Sequence, residues 1–232
     1  MRYCIFIFWL LSVPSRLLAD DKIAMSFCYE EWRPYAFLDE SKQDNGVTID
    51  YLKQKLIAAN IRYKFSELPF HLCKQAVISK KIDFILHVDE NDNLALIKEP
   101  ISDWELTFAV TRENELTFEE IIASQNLRII IARSYNYPKV LEEKMIEMSA
   151  KIVKVSFYTG EATATKRLFH RLTAGQGDTM VVDRVWAQQI IKQNQLPIKV
   201  FDKLIVSVPQ YIGYSTENQV AAQRLESLLL DK

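Results

Sequence analysis

Glycine is scarce in this chain, with 5 residues in 232, and no low-complexity tract or internal repeat is visible. A flexible linker between independent domains is therefore not expected, because such linkers are rich in glycine and serine. Charge of either sign is not in excess, since 29 basic residues face 30 acidic ones. Without a basic block, the sequence lacks the electrostatic signature of a nucleic-acid-binding protein.

Recognised catalytic motifs are also missing. The sequence contains no glycine-rich phosphate loop and no serine in a G-x-S-x-G turn. His71 stands two residues from Cys73 on a predicted helix, where such positions point to different faces. A metal site from His87, Asp89 and Asp92 lacks a recognised ligand spacing. We predict no catalytic residue, metal or cofactor, and an exported enzyme is the least favoured class.

The first 19 residues have the pattern of a cleavable signal peptide. Arg2 precedes an apolar run from Tyr3 to Leu11, and a small residue, Ala19, ends the segment. The run is too short for a transmembrane helix, and no later stretch approaches the roughly 20 apolar residues that a span needs. The alternative is a buried N-terminal helix. We predict an exported, periplasmic and soluble mature chain.

Cleavage would leave two cysteines. Cys4 leaves with the signal peptide, so Cys28 and Cys73 remain in a compartment that permits disulfides. The alternative is two buried free thiols. We predict the disulfide, because the mature chain has no other cysteine to compete for pairing.

Strand and helix patterns alternate along the chain. Thr48 is a plausible N-cap for the first helix, and Pro69 is suited to open the second. Such alternation is typical of an α/β fold in which mostly parallel sheets are covered by helices. The predicted strands are 22–28, 61–68, 82–88, 127–132, 151–156, 179–182 and 198–201, and the predicted helices are 48–60, 69–79, 118–124, 138–149, 160–174, 184–193 and 217–230.

Two strand-like segments, 104–113 and 204–215, are not separated from their neighbours by full helices. This pattern predicts a chain that leaves one lobe, builds a second and returns through two crossing hinge strands. We expect lobe one to comprise 20–107 plus 208–232 and lobe two to comprise 108–207. A cleft at the carboxyl ends of such strands is a natural small-molecule site.

The loop "YEEWRPY" follows the first strand with large rings where a turn would favour small polar residues. We expect Tyr29, Trp32 and Tyr35 to line the cleft, with Pro34 stiffening the turn. The alternative is that the rings only plug the top of lobe one.

The order of these features resembles the type II periplasmic solute-binding proteins of the bacterial extracellular family 3, which includes polar amino-acid receptors of ABC transporters. The resemblance implies a two-lobed, monomeric receptor that captures a small polar solute, amino-acid-like or amine-bearing, for an inner-membrane transporter. A sensing module that signals through a protein partner is the alternative. The motifs, in chain order, are "CYEEWRPYAFLDE", "GVTIDYLKQKLIAA", "ELPFHLCKQAVISKKIDFIL", "ARSYNYP", "LTAGQGDTMVVDRVWAQQII" and "QYIGYS".

The resemblance also implies which residues hold the ligand. Asp183 matches the lobe-two aspartate that grips an amino group. The lobe-one arginine that grips a carboxylate is missing, because Asn93 or Leu94 stands in its place within the acidic stretch "HVDENDNLAL". A cationic, amine-bearing or neutral ligand is therefore favoured, unless Arg133 or Arg184 supplies the cation or tight binding is lost. The predicted ligand-binding residues are Tyr29, Glu31, Trp32, Tyr35, His87, Asp89, Asn93, Arg133, Ser134, Tyr135 and Asp183.

Overall fold

A computed structural model describes residues 24–133, 135–156 and 162–230, with only the backbone for 162–165. The predicted signal peptide lies outside these residues. None of the helices in the described part of the chain is both long enough and apolar enough to cross a bilayer.

Strands and helices alternate as the sequence predicted, and the described strands form one curved, continuous sheet with a small separate hairpin. The strands are β1 (Ala24–Tyr29), β2 (Phe37–Leu38), β3 (Asp44–Asn45), β4 (Arg62–Glu67), β5 (Phe84–Val88), β6 (Ala95–Leu96), β7 (Ser102–Thr111), β8 (Arg128–Ala132), β9 (Lys151–Val155), β10 (Thr179–Asp183), β11 (Ile198–Val200) and β12 (Val206–Tyr214). The helices are α1 (Val47–Ala58), α2 (Phe70–Ile78), α3 (Phe118–Ala123), α4 (Lys139–Glu147), α5 (Ala162–Thr173), α6 (Arg184–Asn194) and α7 (Gln219–Leu230).

The sheet has a parallel region at each end. In one region β1 pairs in parallel with both β4 and β5. In the other, β8 pairs in parallel with both β9 and β10. This arrangement confirms the predicted α/β fold of two lobes, each built on a mostly parallel sheet. The hairpin of β2 and β3 was not predicted, because strands of two residues leave no periodicity to read.

Two antiparallel strands, β7 and β12, join the parallel regions. They pair from Ser102 opposite Gln210 to Leu106 opposite Val206. Beyond this crossing β7 pairs with β10 and β11, and β12 pairs with β5 and β6. They are the displaced strands that the sequence indicated, and the exact lobe boundaries stay a prediction.

Each lobe has its own apolar core. In lobe one, Phe27 lies stacked between Phe65 and Phe84, with ring centroids 5.1 Å from each. In lobe two, Phe169 stacks on Trp186 at 5.6 Å beneath β10. One core thus lies on each side of the hinge strands, and the loops at the strand ends can line a cleft between the lobes.

Helix α1 begins at Val47, with Gly46 as its N-cap, so the predicted cap at Thr48 is wrong. The amides of Val47 and Thr48 donate to the carbonyls of Pro34 and Tyr35, at 3.1 and 3.0 Å. Carbonyl groups of the aromatic loop thus accept hydrogen bonds from the first amides of the helix. No side-chain cap at Thr48 is needed, and Thr48 lies inside the helix. Its buried hydroxyl is instead 3.1 Å from Nε2 of His87.

Cys28 and Cys73 form the predicted disulfide. Their Cα atoms are 5.4 Å apart, and both residues are fully buried. The bond ties the end of β1 to α2, whose first residue, Phe70, lines a cavity at the hinge strands.

Candidate functional site

A cavity of about 200 Å³ lies where the strand ends of both lobes meet the hinge strands. Lobe one contributes Glu30 after β1 and His87 from β5. Lobe two contributes Ala132 from β8 and Asp183 from β10, and Gln210 comes from hinge strand β12. The cavity therefore occupies the place at which the sequence predicted a cleft.

Trp32 closes the cavity from the lobe-one side. Its ring packs against the lobe-two core around Ala132, Val155 and Trp186. It also lies 4.6 Å from the ring of Tyr35 and 4.9 Å from that of His87. A lobe-one side chain thus reaches lobe two, and residues of both lobes line the cavity.

The aromatic loop holds Trp32 by backbone hydrogen bonds. The amides of Trp32 and Ala36 donate to each other's carbonyls at 2.7 and 3.0 Å, and the Arg33–Pro34 peptide bond is cis. Tyr35 packs against Trp32 without lining the cavity itself. Burial raises the pKa of the Tyr35 hydroxyl to about 12, and the carboxylates of Asp183 and Glu105 raise it further.

Gly46 is required where the aromatic loop crosses α1. Its φ is 121°, and a Cβ there would lie 2.4 Å from the carbonyl oxygen of Tyr35. We expect Gly46→Ala to lower the free energy of unfolding by roughly 2–3 kcal/mol, because it adds a clash to an unfavourable φ. The change would also displace Trp32 and weaken ligand binding.

Gly175→Ala is the matched control, because Gly175 has a φ of 69° with no atom within 4 Å of the added Cβ. It should cost only about 1 kcal/mol, the strain of the left-handed backbone. Urea unfolding of both variants separates clash from strain. An equal decrease in the free energy of unfolding in the two variants would contradict the expected clash between the added Cβ and the Tyr35 carbonyl.

Tyr29 is not a cleft residue, which corrects the prediction. It is fully buried in the lobe-one core, and its hydroxyl donates to Asp44 Oδ1 at 2.7 Å. The following residue, Glu30, lines the cavity instead. Strand alternation was the signal that would have found this, since Met25 and Phe27 share the core face with Tyr29.

His87 enters the cavity from a distorted position in β5. Its φ is 59°, and the pairing with β12 shifts register between Tyr211 and Gly213. Such bulges re-aim a side chain. Burial lowers the pKa of His87 to about 3, so its imidazole is neutral and shares a hydrogen bond with Thr48.

The turn after β5 is acidic. Asp89 lines the cavity and caps the turn by accepting from the amide of Asn91 at 2.7 Å. Burial raises the pKa of the Asp89 carboxyl. Asp92 also lines the cavity, with Lys74 Nζ 3.4 Å from its Oδ1.

Asn93 does not reach the cavity, so its predicted ligand role is corrected. It is exposed and ends the turn with a φ of 54°, a conformation that asparagine tolerates well. The tight turn therefore carries this position away from the cleft.

Asp183 is the most distinctive group in the cavity. Its Oδ1 accepts from the amide of Trp186 at 2.7 Å and so caps α6, whereas its buried Oδ2 has no hydrogen-bond partner in the described part of the chain. The residue is 8 % exposed. Burial is the largest cause that raises the pKa of the carboxyl to about 7. Hydrogen bonds from the backbone amides of Trp186 and Glu105 oppose this rise, and the charge of the Glu105 carboxylate adds to it.

Neither arginine proposed for lobe two lines the cavity. Arg133 is exposed, which corrects its predicted ligand role. Arg184 is paired with Glu105 on the hinge strand, its Nε donating to Oε2 at 2.7 Å. Ser134 and the start of the helix predicted at 160 lie outside the described residues, whereas Tyr135 lines the cavity.

The cavity lining is acidic and aromatic, and no lysine or arginine is among the described residues that form it. Glu31 is the one lining acid that pairs with an arginine here, with Arg33 Nε 2.8 Å from its Oε1. Within the described chain no group of three or more His, Cys, Asp or Glu residues is placed to hold a metal ion. The lining carboxylates are Glu30, Glu31, Asp89, Asp92 and Asp183, and the lining aromatic residues besides His87 are Trp32, Phe70, Trp104, Tyr135, Tyr137 and Trp186.

Several solved structures are similar to this chain, whereas no family model and no curated protein matches it. The probable amino-acid ABC transporter extracellular-binding protein ytmK from Bacillus subtilis has a TM-score of 0.74 at 13% identity, covering 89% of this chain and 90% of that one. The arginine-bound form of ArgBP from T. maritima has a TM-score of 0.65 at 17% identity, covering 89% and 94%. An ancestral amino-acid-binding protein, described as a precursor of cyclohexadienyl dehydratase, has a TM-score of 0.66 at 15% identity, covering 89% and 87%.

These identities show the fold alone. It is the two-lobed fold of the type II periplasmic binding proteins, which confirms the fold expected from the resemblance.

Proposed function

We propose that this chain is an exported binding protein that captures a small polar, amine-bearing solute between its two lobes. The observation that carries the proposal is the buried Oδ2 of Asp183, which has no hydrogen-bond partner among the described residues and belongs to a cavity lined by aromatic rings. A buried carboxylate without a partner is costly. An ammonium or guanidinium group of a ligand would supply the missing hydrogen bond and the opposite charge.

The size of the cavity limits the solute. Its volume of about 200 Å³ is below the 300–1,000 Å³ that is typical of sites for drug-sized molecules. Residues of both lobes line it, so a bound molecule would contact both lobes. A solute of amino-acid size fits these limits, and it would favour the closed arrangement because it bridges the lobes.

Delivery to a transporter is the role that we favour for the captured solute. Support comes from the neighbour described as a probable ABC transporter extracellular-binding protein, with the same fold over 89% of this chain. The signal-peptide pattern of the sequence agrees with an exported receptor. No catalytic step is part of the proposal.

A thermal-shift screen of the mature chain, residues 20–232, tests this function. The screen should contain amino acids, amines and small carboxylates. A bound solute at 100 times its Kd adds about 2.7 kcal/mol of stability, which for a chain of this size raises the Tm by roughly 5–10 °C.

An amine-bearing compound that gives this shift and is recovered unchanged would support the proposal. The shift should disappear in Asp183→Asn. A screen in which only compounds without an amino or guanidino group stabilise the protein would contradict it, and so would conversion of the stabilising compound into a product.

A further inference from the structure

We propose that the ligand of this cleft is an organic cation without a carboxylate, an amine or guanidine rather than an amino acid. The inference rests on the proposed function and names its substrate class. Three lining carboxylates from three strand ends, Glu30, Asp89 and Asp183, have no ion pair with any described lysine or arginine. An amino acid would bring a fourth carboxylate without an ion pair into this space.

Three basic residues that contact acids in or beside the cavity lining are paired with those acids. Arg33 pairs with Glu31 and stacks on a phenylalanine ring, with its Cζ 4.0 Å from the centroid. Lys74 lies beside Asp92, and Arg184 pairs with Glu105. To bind a ligand carboxylate, any of these residues would have to break its ion pair. The acidic partner would then be left as another uncompensated negative charge near the cavity.

The internal residues outside the described part of the chain add no cation. Residue 134 is a serine, and residues 157–165 read "FYTGEATAT", without lysine or arginine. Arg133 is exposed and absent from the lining. A buried ligand carboxylate would thus be desolvated without a side-chain cation to compensate its charge.

A cation, in contrast, has both charged and aromatic partners. Asp183 Oδ2 is an open acceptor on the lobe-two side, and Glu30 and Asp89 lie on the lobe-one side. Trp104 stacks on Tyr137 with ring centroids 5.6 Å apart, and both rings line the space. The faces of such rings attract desolvated cations.

Tyr135 links the two acidic sides of the cavity. Burial raises the pKa of its hydroxyl, and the negative charges of Glu30 and Asp183 both contribute to that increase. Its hydroxyl is therefore within electrostatic reach of carboxylates from both lobes. A cation beside Tyr135 would be attracted from both sides, whereas a ligand carboxylate would be repelled from both.

Matched pairs of probes test the inference directly. Agmatine is arginine without its carboxylate, and cadaverine is lysine without its carboxylate. We expect calorimetry of the mature chain at pH 8 to show agmatine binding at least 10-fold more tightly than arginine, and cadaverine more tightly than lysine. Glu30→Gln and Asp89→Asn should each weaken agmatine binding, whereas the exposed Glu142→Gln on α4 should not.

Arginine binding as tightly as agmatine would overturn the inference, because the carboxylate would then have a partner. Binding of neutral amino acids alone would overturn it too, while leaving the proposed function standing. Absence of a stabilising compound in the whole screen would instead count against the proposed function itself.

Discussion

Replacing Asp183 with asparagine is expected to weaken agmatine binding by roughly 30-fold to several thousand-fold, the effect of removing one partner from a buried charge pair. Asparagine has nearly the same shape, and it caps helices as well as aspartate does. The hydrogen bond from the Trp186 amide should therefore survive. Calorimetry of the variant and the wild type with agmatine measures the loss.

The same substitution should stabilise the unliganded protein at high pH. The pKa of Asp183 rises from 3.8 to about 7 on folding, so folding binds protons between these values and stability falls as pH increases from 4 to 7. The loss of folding stability caused by the ionised Asp183 carboxylate is complete above pH 7 and is on the order of 4 kcal/mol at most. At pH 8, Asp183→Asn should thus unfold at a higher urea concentration than the wild type. At pH 4 its unfolding midpoint should be no higher than that of the wild type.

Asp178→Asn is the control, because the pKa of Asp178 is lowered on folding and its substitution should decrease stability at high pH. The hydrogen bonds and charge of Arg128 lower the pKa of Asp178, so this pair contributes stability above the unfolded pKa and loses it in acid. Because the pair is partly exposed, its loss should cost about 0.2–1 kcal/mol at pH 8. Agmatine affinity should not change. An Asp183→Asn variant that is less stable than the wild type at pH 8 would contradict the unpartnered carboxylate.

Loss of the disulfide is the largest effect on stability that we expect. The bond joins residues 45 apart in sequence, and loop entropy assigns such a cross-link roughly 3–4 kcal/mol. The double variant Cys28→Ala and Cys73→Ala should therefore unfold at much lower urea than the wild type. Its agmatine binding should also weaken, because α2 with Phe70 would no longer be tied to the strand that leads into Glu30.

Reductant separates the cross-link from the packing of the two side chains. Dithiothreitol should lower the stability of the wild type toward that of the double variant and leave the variant unchanged. Alkylation of periplasmic protein that is unfolded in urea without reductant should modify neither cysteine. Free thiols in that sample, or a wild type insensitive to reductant, would contradict the bond.

The fold was largely predictable because its signals are local. Alternating strands and helices show in the spacing of apolar residues, and the hinge strands stood out because helices do not flank them. The start of α1 could not be read in this way. The carbonyls of Pro34 and Tyr35 in the aromatic loop accept hydrogen bonds from the first two amides of α1. The spacing of apolar residues gives no sign of this contact between separate segments.

The site was less predictable than the fold. Trp32, His87, Asp89 and Asp183 were chosen correctly as cavity residues, although their contact with a ligand stays a prediction. Tyr29, Tyr35, Asn93 and Arg133 do not line the cavity, contrary to the prediction. Strand parity places Tyr29 in the core, Tyr35 packs against Trp32, and a tight turn carries Asn93 to the surface. Glu31 and Tyr135 also line the cavity as expected, whereas Glu30 and Trp104 were missed.

The account depends most on what Asp183 binds, and a crystal structure of the mature protein with agmatine shows this directly. We expect a guanidinium or ammonium nitrogen within about 3 Å of the Asp183 Oδ2 that now lacks a partner. The rest of the molecule should lie against Trp32 and Trp104. Agmatine found only outside the cavity, with Oδ2 still unpaired, would contradict the account.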